Sequence, residues 1–255
     1  MAWAAGDADF GSQTRTNDAA LIGIFYDLKQ DQQRRGTGMD DRKYMEVLDR
    51  FLRENWNEAV LNRYFRATRP LYATQIFITG RGAGAAPKAF GVEKVVSPQK
   101  WVAHYKGQVA APSTGNWRFW GSGDDVMAVA INGKTVLVSN FGRRTFPSLG
   151  WESPEEPSQN YAGGCVLKAG DWVYLKEGEV VDLDILFGEL PGGAFSAFLL
   201  IEKQGETYGE LEDGERIYPV FQLAPFDTPL TEVRANGRKS APEFAPEGPL
   251  WQGFQ

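Results

Sequence analysis

The chain has little of what most catalytic and metal centres are made from. One cysteine in 255 residues, Cys165, excludes an internal disulfide framework and any multi-cysteine zinc site. One histidine, His104, makes histidine metal clusters and Ser-His-Asp chemistry improbable. No apolar run approaches the roughly 18 residues that read as a membrane-spanning helix. Basic residues are outnumbered, 27 Lys+Arg against 33 Asp+Glu, and no Lys/Arg stripe is available to neutralise phosphates, so nucleic acid is not the expected partner. The first residues carry neither a basic n-region nor a long apolar stretch, so they do not form a signal peptide.

What is present suits a folded globular chain: 42% hydrophobic against 24% charged residues argues against disorder. Residues 1–19 are small and polar and read as an arm. Ala20–Tyr26 is β-branched and aromatic, a buried strand. Asp40 and Asp41 precede Tyr44, Met45, Val47, Leu48, Phe51 and Leu52 at helical spacing, with an Asp as N-cap. Trp56, Val60, Leu61, Tyr64 and Phe65 continue an apolar face, so a helical segment is expected over about 40–66, with a break near Glu54-Asn55 and an end at Arg69-Pro70.

Beyond Pro70 short strands alternate with Gly/Pro turns. Leu71–Thr79, Trp101–Val109, Asn116–Trp120, Val126–Ile131, Lys134–Val138, Gly164–Lys168, Val180–Phe187 and Phe195–Glu202 all read as β. Asn132-Gly133 between two β runs is a hairpin signal, because a type I′ turn needs φ > 0 at both positions. Helix-period residues are confined to one stretch, so the expected fold is mainly β, an antiparallel sandwich or barrel with an inserted helical segment. The core domain is placed at 20–223. Residues 224–255, with prolines at 225, 229, 242, 246 and 249, are expected as an extended tail that wraps the domain or reaches a partner.

Three stretches carry a resemblance. They are Trp101-Val-Ala-His-Tyr-Lys-Gly-Gln-Val109, Pro112-Ser-Thr-Gly-Asn-Trp-Arg-Phe119, and Gly123-Asp124-Asp125 followed by a strand, Asn132-Gly133 and another strand. In this order they resemble the protective-antigen-type (PA14) domain, a β-sandwich of toxins, glycosidases and adhesins. Gly23–Tyr26, Lys168–Gly170, Val180–Phe187 and Ala197–Glu202 extend the resemblance over 20–203. The block 72–78, Gly188–Gly193 and the closing Ala197–Glu202 together resemble an uncharacterised bacterial subfamily. The helical segment departs from the simple family layout.

The resemblance implies a ligand site. In lectin members two adjacent acids, joined by a cis peptide, bind calcium, and the ion holds a sugar. Neighbouring side chains on a strand point to opposite faces, so an ordinary strand cannot present two consecutive carboxylates to one ion; calcium wants six to eight oxygens. Carried over, Asp124 and Asp125 are the metal and ligand candidates. The late loop Gly188–Gly193 lacks the family's asparagine, and Glu189 is the replacement, with Asn140 and Asn160 as alternatives. Asp-Asp before a strand can equally serve to satisfy backbone N–H groups in a turn. Trp120, with Trp117, Trp151 and Trp172, offers aromatic planes for sugar rings, although most aromatics of a sandwich are core. His104 is expected as a packed, hydrogen-bonded side chain, Cys165 as a small buried apolar residue, Asp182 and Asp184 as a solvated face. Gly80–Gly84 is expected as a loop without phosphate-binding character.

Three functions follow. The first is a non-catalytic binding module, secreted or at the cell envelope, that recognises carbohydrate with calcium as cofactor. The second is a structural subunit of a surface assembly, joined through its N- and C-terminal arms. The third is a glycosidase, supported only by abundant acids; domains of this family normally accompany catalytic domains rather than supply the active site.

Overall fold

Alternating apolar residues build two antiparallel sheets whose inner faces meet. The computed structural model describes residues 8–15, 19–142, 144–156, 158–161, 165–211, 214–225, 244–245 and 247–254. In chain order the strands are β1 (Leu21–Asp31), β2 (Tyr64–Arg66), β3 (Leu71–Ala73), β4 (Phe77–Gly82), β5 (Trp101–Ala110), β6 (Gly115–Asp124), β7 (Val126–Ile131) and β8 (Lys134–Val138). They continue with β9 (Ser158–Tyr161), β10 (Cys165–Ala169), β11 (Val173–Leu175), β12 (Val180–Glu189), β13 (Ala194–Lys203), β14 (Gly209–Glu210), β15 (Arg216–Ile217) and β16 (Gln252–Phe254). The first sheet runs β2-β1-β5-β12-β7-β8, with β3 on β1 and β16 on β5; the second runs β4-β13-β6-β10-β9, with β11 on β6. The fold is therefore the expected mainly-β antiparallel sandwich.

Between the sheets lies the main core, which includes Phe25, Trp101, Tyr105, Phe119, Phe187, Phe195 and Leu199. Each side chain of this size contributes about 1.5–3 kcal/mol when fully buried. The outer faces are covered too, which explains near-continuous apolar runs such as Val126–Ile131, buried throughout. Helix α1 (Asp41–Arg53) lays Tyr44, Leu48, Phe51 and Leu52 on the outside of the first sheet, against Tyr26, Val102, Ala128 and Leu186. Asp40 caps it by accepting from Lys43 N at 2.8 Å. On the outside of the second sheet, Tyr218, Val220 and Phe244 cover Trp120, Phe198 and Leu200.

Two expectations need correction. The helical segment is half as long as its apolar pattern implied: after α1, Asn55 and Trp56 take φ of 56° and 57°, a single 3-10 turn follows at Glu58–Val60, and Tyr64–Arg66 is strand. Apolar side chains here follow a wrapping chain that drops them onto one sheet, so helical spacing appears without a helix. Gly80–Gly84 is also no free loop. Its first residues end β4, and a short helix α2 (Ala85–Ala89) begins directly after Gly84.

The described parts of both arms pack on their own domain. Phe10 is fully buried against Phe187 and Phe195, and its carbonyl accepts from Tyr105 Oη. Trp251 is buried between Trp117, Phe119 and Phe221, and β16 extends the first sheet.

Candidate functional site

The acid pair sits where the chain leaves one sheet for the other. β6 ends at Asp124 in the second sheet, and β7 starts at Val126 in the first. The crossing is tight: a Cβ on Gly123 would lie 2.4 Å from Met127 Cβ and 2.7 Å from Val126 O, so only glycine fits. The peptide between Asp124 and Asp125 is cis. Two neighbouring segments, 139–141 and β12, pin the crossing with three hydrogen bonds. Gly123 N donates to Ser139 O, Asp125 N donates to Gly188 O, and Phe141 N donates to Asp125 O, at 2.8–3.1 Å.

Asp125 is 3% exposed and both its carboxylate oxygens are engaged. Oδ2 accepts from Leu190 N at 2.8 Å, and Oδ1 pairs with Arg144 Nη2 at 2.9 Å. Asp124 keeps contact with solvent, and among the described residues its carboxylate accepts no hydrogen bond. Burial and the Asp125 charge push Asp124 up to about 6, against a partial pull from Arg144. Glu189, at the end of β12, is 1% exposed; its Oε1 accepts from Gly192 N at 2.8 Å, and its carboxyl is hydrogen-bonded to the Asp125 side chain. Burial, then the charges of Asp125 and Asp124, hold the Glu189 carboxyl well above the usual carboxylate range.

Two residues without any sequence signal complete the surroundings. Tyr44 of α1 is buried, donates to Trp101 O at 3.0 Å, and is driven far up by burial and by the facing Asp125 and Glu189. A Cβ on Gly188 would meet Tyr44 Oη at 2.4 Å, so that glycine admits the tyrosine. Arg144 is, among the described residues, the one cation in ion-pair contact with any of the three acids. Its backbone is held by Asn140 Nδ2, which donates to Arg144 O at 3.4 Å. Farther along the same loop, Ser148 N and Leu149 N both donate to Asp49 of α1 at 3.1 Å. Asp49 lies buried beside Leu48, and an acid on the buried side of a helix is the one clue that could have exposed this anchor.

The structure thus brings Asp124, Asp125, Glu189 and Asn140 to one end of the sandwich. Asn140 Oδ1 accepts from Met127 N at 3.2 Å, so its oxygen is already used. Trp120 is not part of this group. It is 3% exposed, stacks on Tyr218 at 4.9 Å and donates to Glu202 at 2.7 Å, so it is built into the outer core of the second sheet and has no free face for a sugar. Asn160 lies in β9, and its side chain, like that of Cys165, lies outside the described residues. His104 is packed between Phe51 and Trp56 and bonded to Asp184 at 2.7 Å. Among the described residues, no three His, Cys, Asp or Glu side chains already converge as metal ligands.

The chain is similar to PA14 domains of known structure. One is a PA14 sugar-binding domain from an RTX adhesin, at 13% identity over 76% of this chain and 94% of that one, with a TM-score of 0.46. A second is the PA14 domain of the antifreeze protein MpAFP, at 12% identity over 80% and 87%, with a TM-score of 0.45. The third is the A domain of epithelial adhesin 6 from Candida glabrata, solved with Galb1-3GlcNAc, at 12% identity over 79% and 92%, with a TM-score of 0.45. No protein-family model matches the chain. No curated protein matches it either. Among the described residues, no helix is long and apolar enough to cross a membrane.

Proposed function

We propose that this protein is a non-catalytic binding module that recognises carbohydrate outside the cell or at its envelope, with calcium held at the sandwich rim. The observation that carries this reading is the meeting of Asp124, Asp125 and Glu189 at the crossing, where Glu189 hydrogen-bonds Asp125 and both Asp124 and Glu189 are pushed above the usual carboxylate range. Three acids crowded at one place, two of them raised above the usual carboxylate range, are costly to ionise unless a cation arrives to meet them. The donor set suits a hard cation: the three acids offer only oxygen, and Asp124 is uncommitted. Asp124, Asp125 and Glu189 would hold the ion, and water or vicinal hydroxyls of a sugar would fill its remaining positions. The position of Asp124 at the solvent boundary gives such a ligand its access.

The test is a melting curve of the full chain with and without millimolar calcium chloride, followed by glycan-array binding in both states. A ligand that binds only the folded chain must raise the melting temperature. A calcium-dependent rise, lost in Asp124→Ala together with array signal, is expected. No rise, and array binding that ignores both calcium and Asp124, would remove the reading.

A further inference from the structure

We infer that Arg144 is a built-in counter-ion of this site, and that calcium binding requires its guanidinium to leave Asp125. The inference rests on the calcium reading above and adds a competitor that the chain itself carries. Asp125 is almost wholly buried, and a carboxylate in that position needs a compensating charge. Leu190 N occupies Oδ2; Arg144 Nη2 occupies Oδ1. A divalent ion reaching Oδ1 would therefore meet a cation already seated there. Both cannot use the same oxygen, because like charges at contact distance repel strongly where solvent screening is weak.

The surroundings allow the side chain to go while its loop stays. The Arg144 side chain is 26% exposed, so it has a path to water. Its backbone carbonyl is tied to Asn140, Phe141 N is tied to Asp125 O, and the loop beyond is tied to α1 through Asp49. These ties hold the loop at Asn140, Phe141 and Ser148-Leu149, and the second contact of the guanidinium, Nη1 donating to Phe141 O at 3.3 Å, lies within that loop. In the calcium-free state Arg144 stabilises the acid group; in the loaded state the ion takes over that role. The helix that departs from the simple family layout thus acquires a purpose, since Asp49 on α1 anchors the loop that delivers Arg144.

The test is calcium titration by calorimetry on the full wild-type chain and on Arg144→Gln, with melting curves of both. The expected result is calcium binding about tenfold tighter in Arg144→Gln, corresponding to about 1.4 kcal/mol of released competition. Its melting temperature should fall below wild type in a chelator and meet it in saturating calcium. A second measurement needs no variant: the side-chain N–H resonance of Arg144 in the wild type should move to a solvent-exposed position as calcium is added. Equal or weaker calcium binding by Arg144→Gln, or an Arg144 resonance unmoved at saturation, overturns the inference while leaving calcium binding intact. Absence of calcium binding in both chains overturns the calcium reading itself, and this inference with it.

Discussion

Replacing Asp124 with asparagine should make the calcium-free protein more stable at neutral pH. The carboxyl of Asp124 is lifted from its ordinary 3.8 to about 6, first by burial and then by Asp125. A raised carboxyl means that the folded state resists ionisation. Stability is therefore highest below the unfolded value, falls as pH rises from about 4 to about 6, and is fully reduced above that. At about 1.36 kcal/mol per pH unit the penalty would reach about 3 kcal/mol. Asp124 keeps part of its surface in water, and screening reduces the expectation to about 1–2 kcal/mol. For a chain of this size that is a rise of about 2–8 °C in melting temperature. Asparagine has nearly the same shape and no charge, so Asp124→Asn should show this gain at pH 7.5 in a chelator and lose most of it at pH 4. Calcium should reverse the order, stabilising the wild type and not the variant. A loss of stability in Asp124→Asn at pH 7.5, or a gain that does not change with pH, would refute the electrostatic reasoning. Such an acid, costly to the empty fold, is the trade-off between stability and function that binding sites show.

Other positions give sharper structural tests. Gly188→Ala would force a Cβ to within 2.4 Å of Tyr44 Oη and 2.6 Å of Trp101 O; overpacking of this kind should lower stability by about 1–3 kcal/mol in urea unfolding. Asp49→Ala removes the acceptor for Ser148 N and Leu149 N, with an expected loss of about 1–3 kcal/mol; hydrogen exchange should quicken at 144–149 and remain slow in β5 and β12. Trp251→Ala empties a fully buried site between Trp117 and Phe221, with an expected loss of about 3–5 kcal/mol; exchange in Gln252–Phe254 should rise first.

Much of the sandwich can be read from local pattern because its strands carry their own punctuation. Val126–Ile131 and Lys134–Val138 match their expected ranges, and Asn132 and Gly133 take φ of 50° and 75° as the hairpin requires. Helix α1 is legible for the same reason: its cap and its apolar stripe lie within thirteen residues. The segment after it is not, because Trp56, Val60, Leu61 and Tyr64 are ordered by the sheet beneath them, and their spacing mimics a helix. The N-terminal stretch looks like a linker since its anchors among the described residues are scattered: the buried ring of Phe10, the ion pair of Asp9 with Arg81 and the backbone bonds of Ser12 with Tyr72. At the site, the acid pair stands out in the sequence. Arg144 does not, since its link to Asp125 spans nineteen positions and leaves no periodic trace. Trp120 is misleading for the converse reason: an aromatic's chemistry is visible in the sequence, but its burial under Tyr218 is a long-range fact.

Calcium-edge anomalous diffraction from crystals of the full chain grown in calcium chloride addresses the acid cluster most directly. The expected map holds one ion about 2.3–2.6 Å from oxygens of Asp124 and Asp125, with Glu189 turned toward it and Arg144 withdrawn from Asp125. A map with no ion at the β6–β7 crossing, and with Arg144 still seated on Asp125 at saturating calcium, would contradict the account.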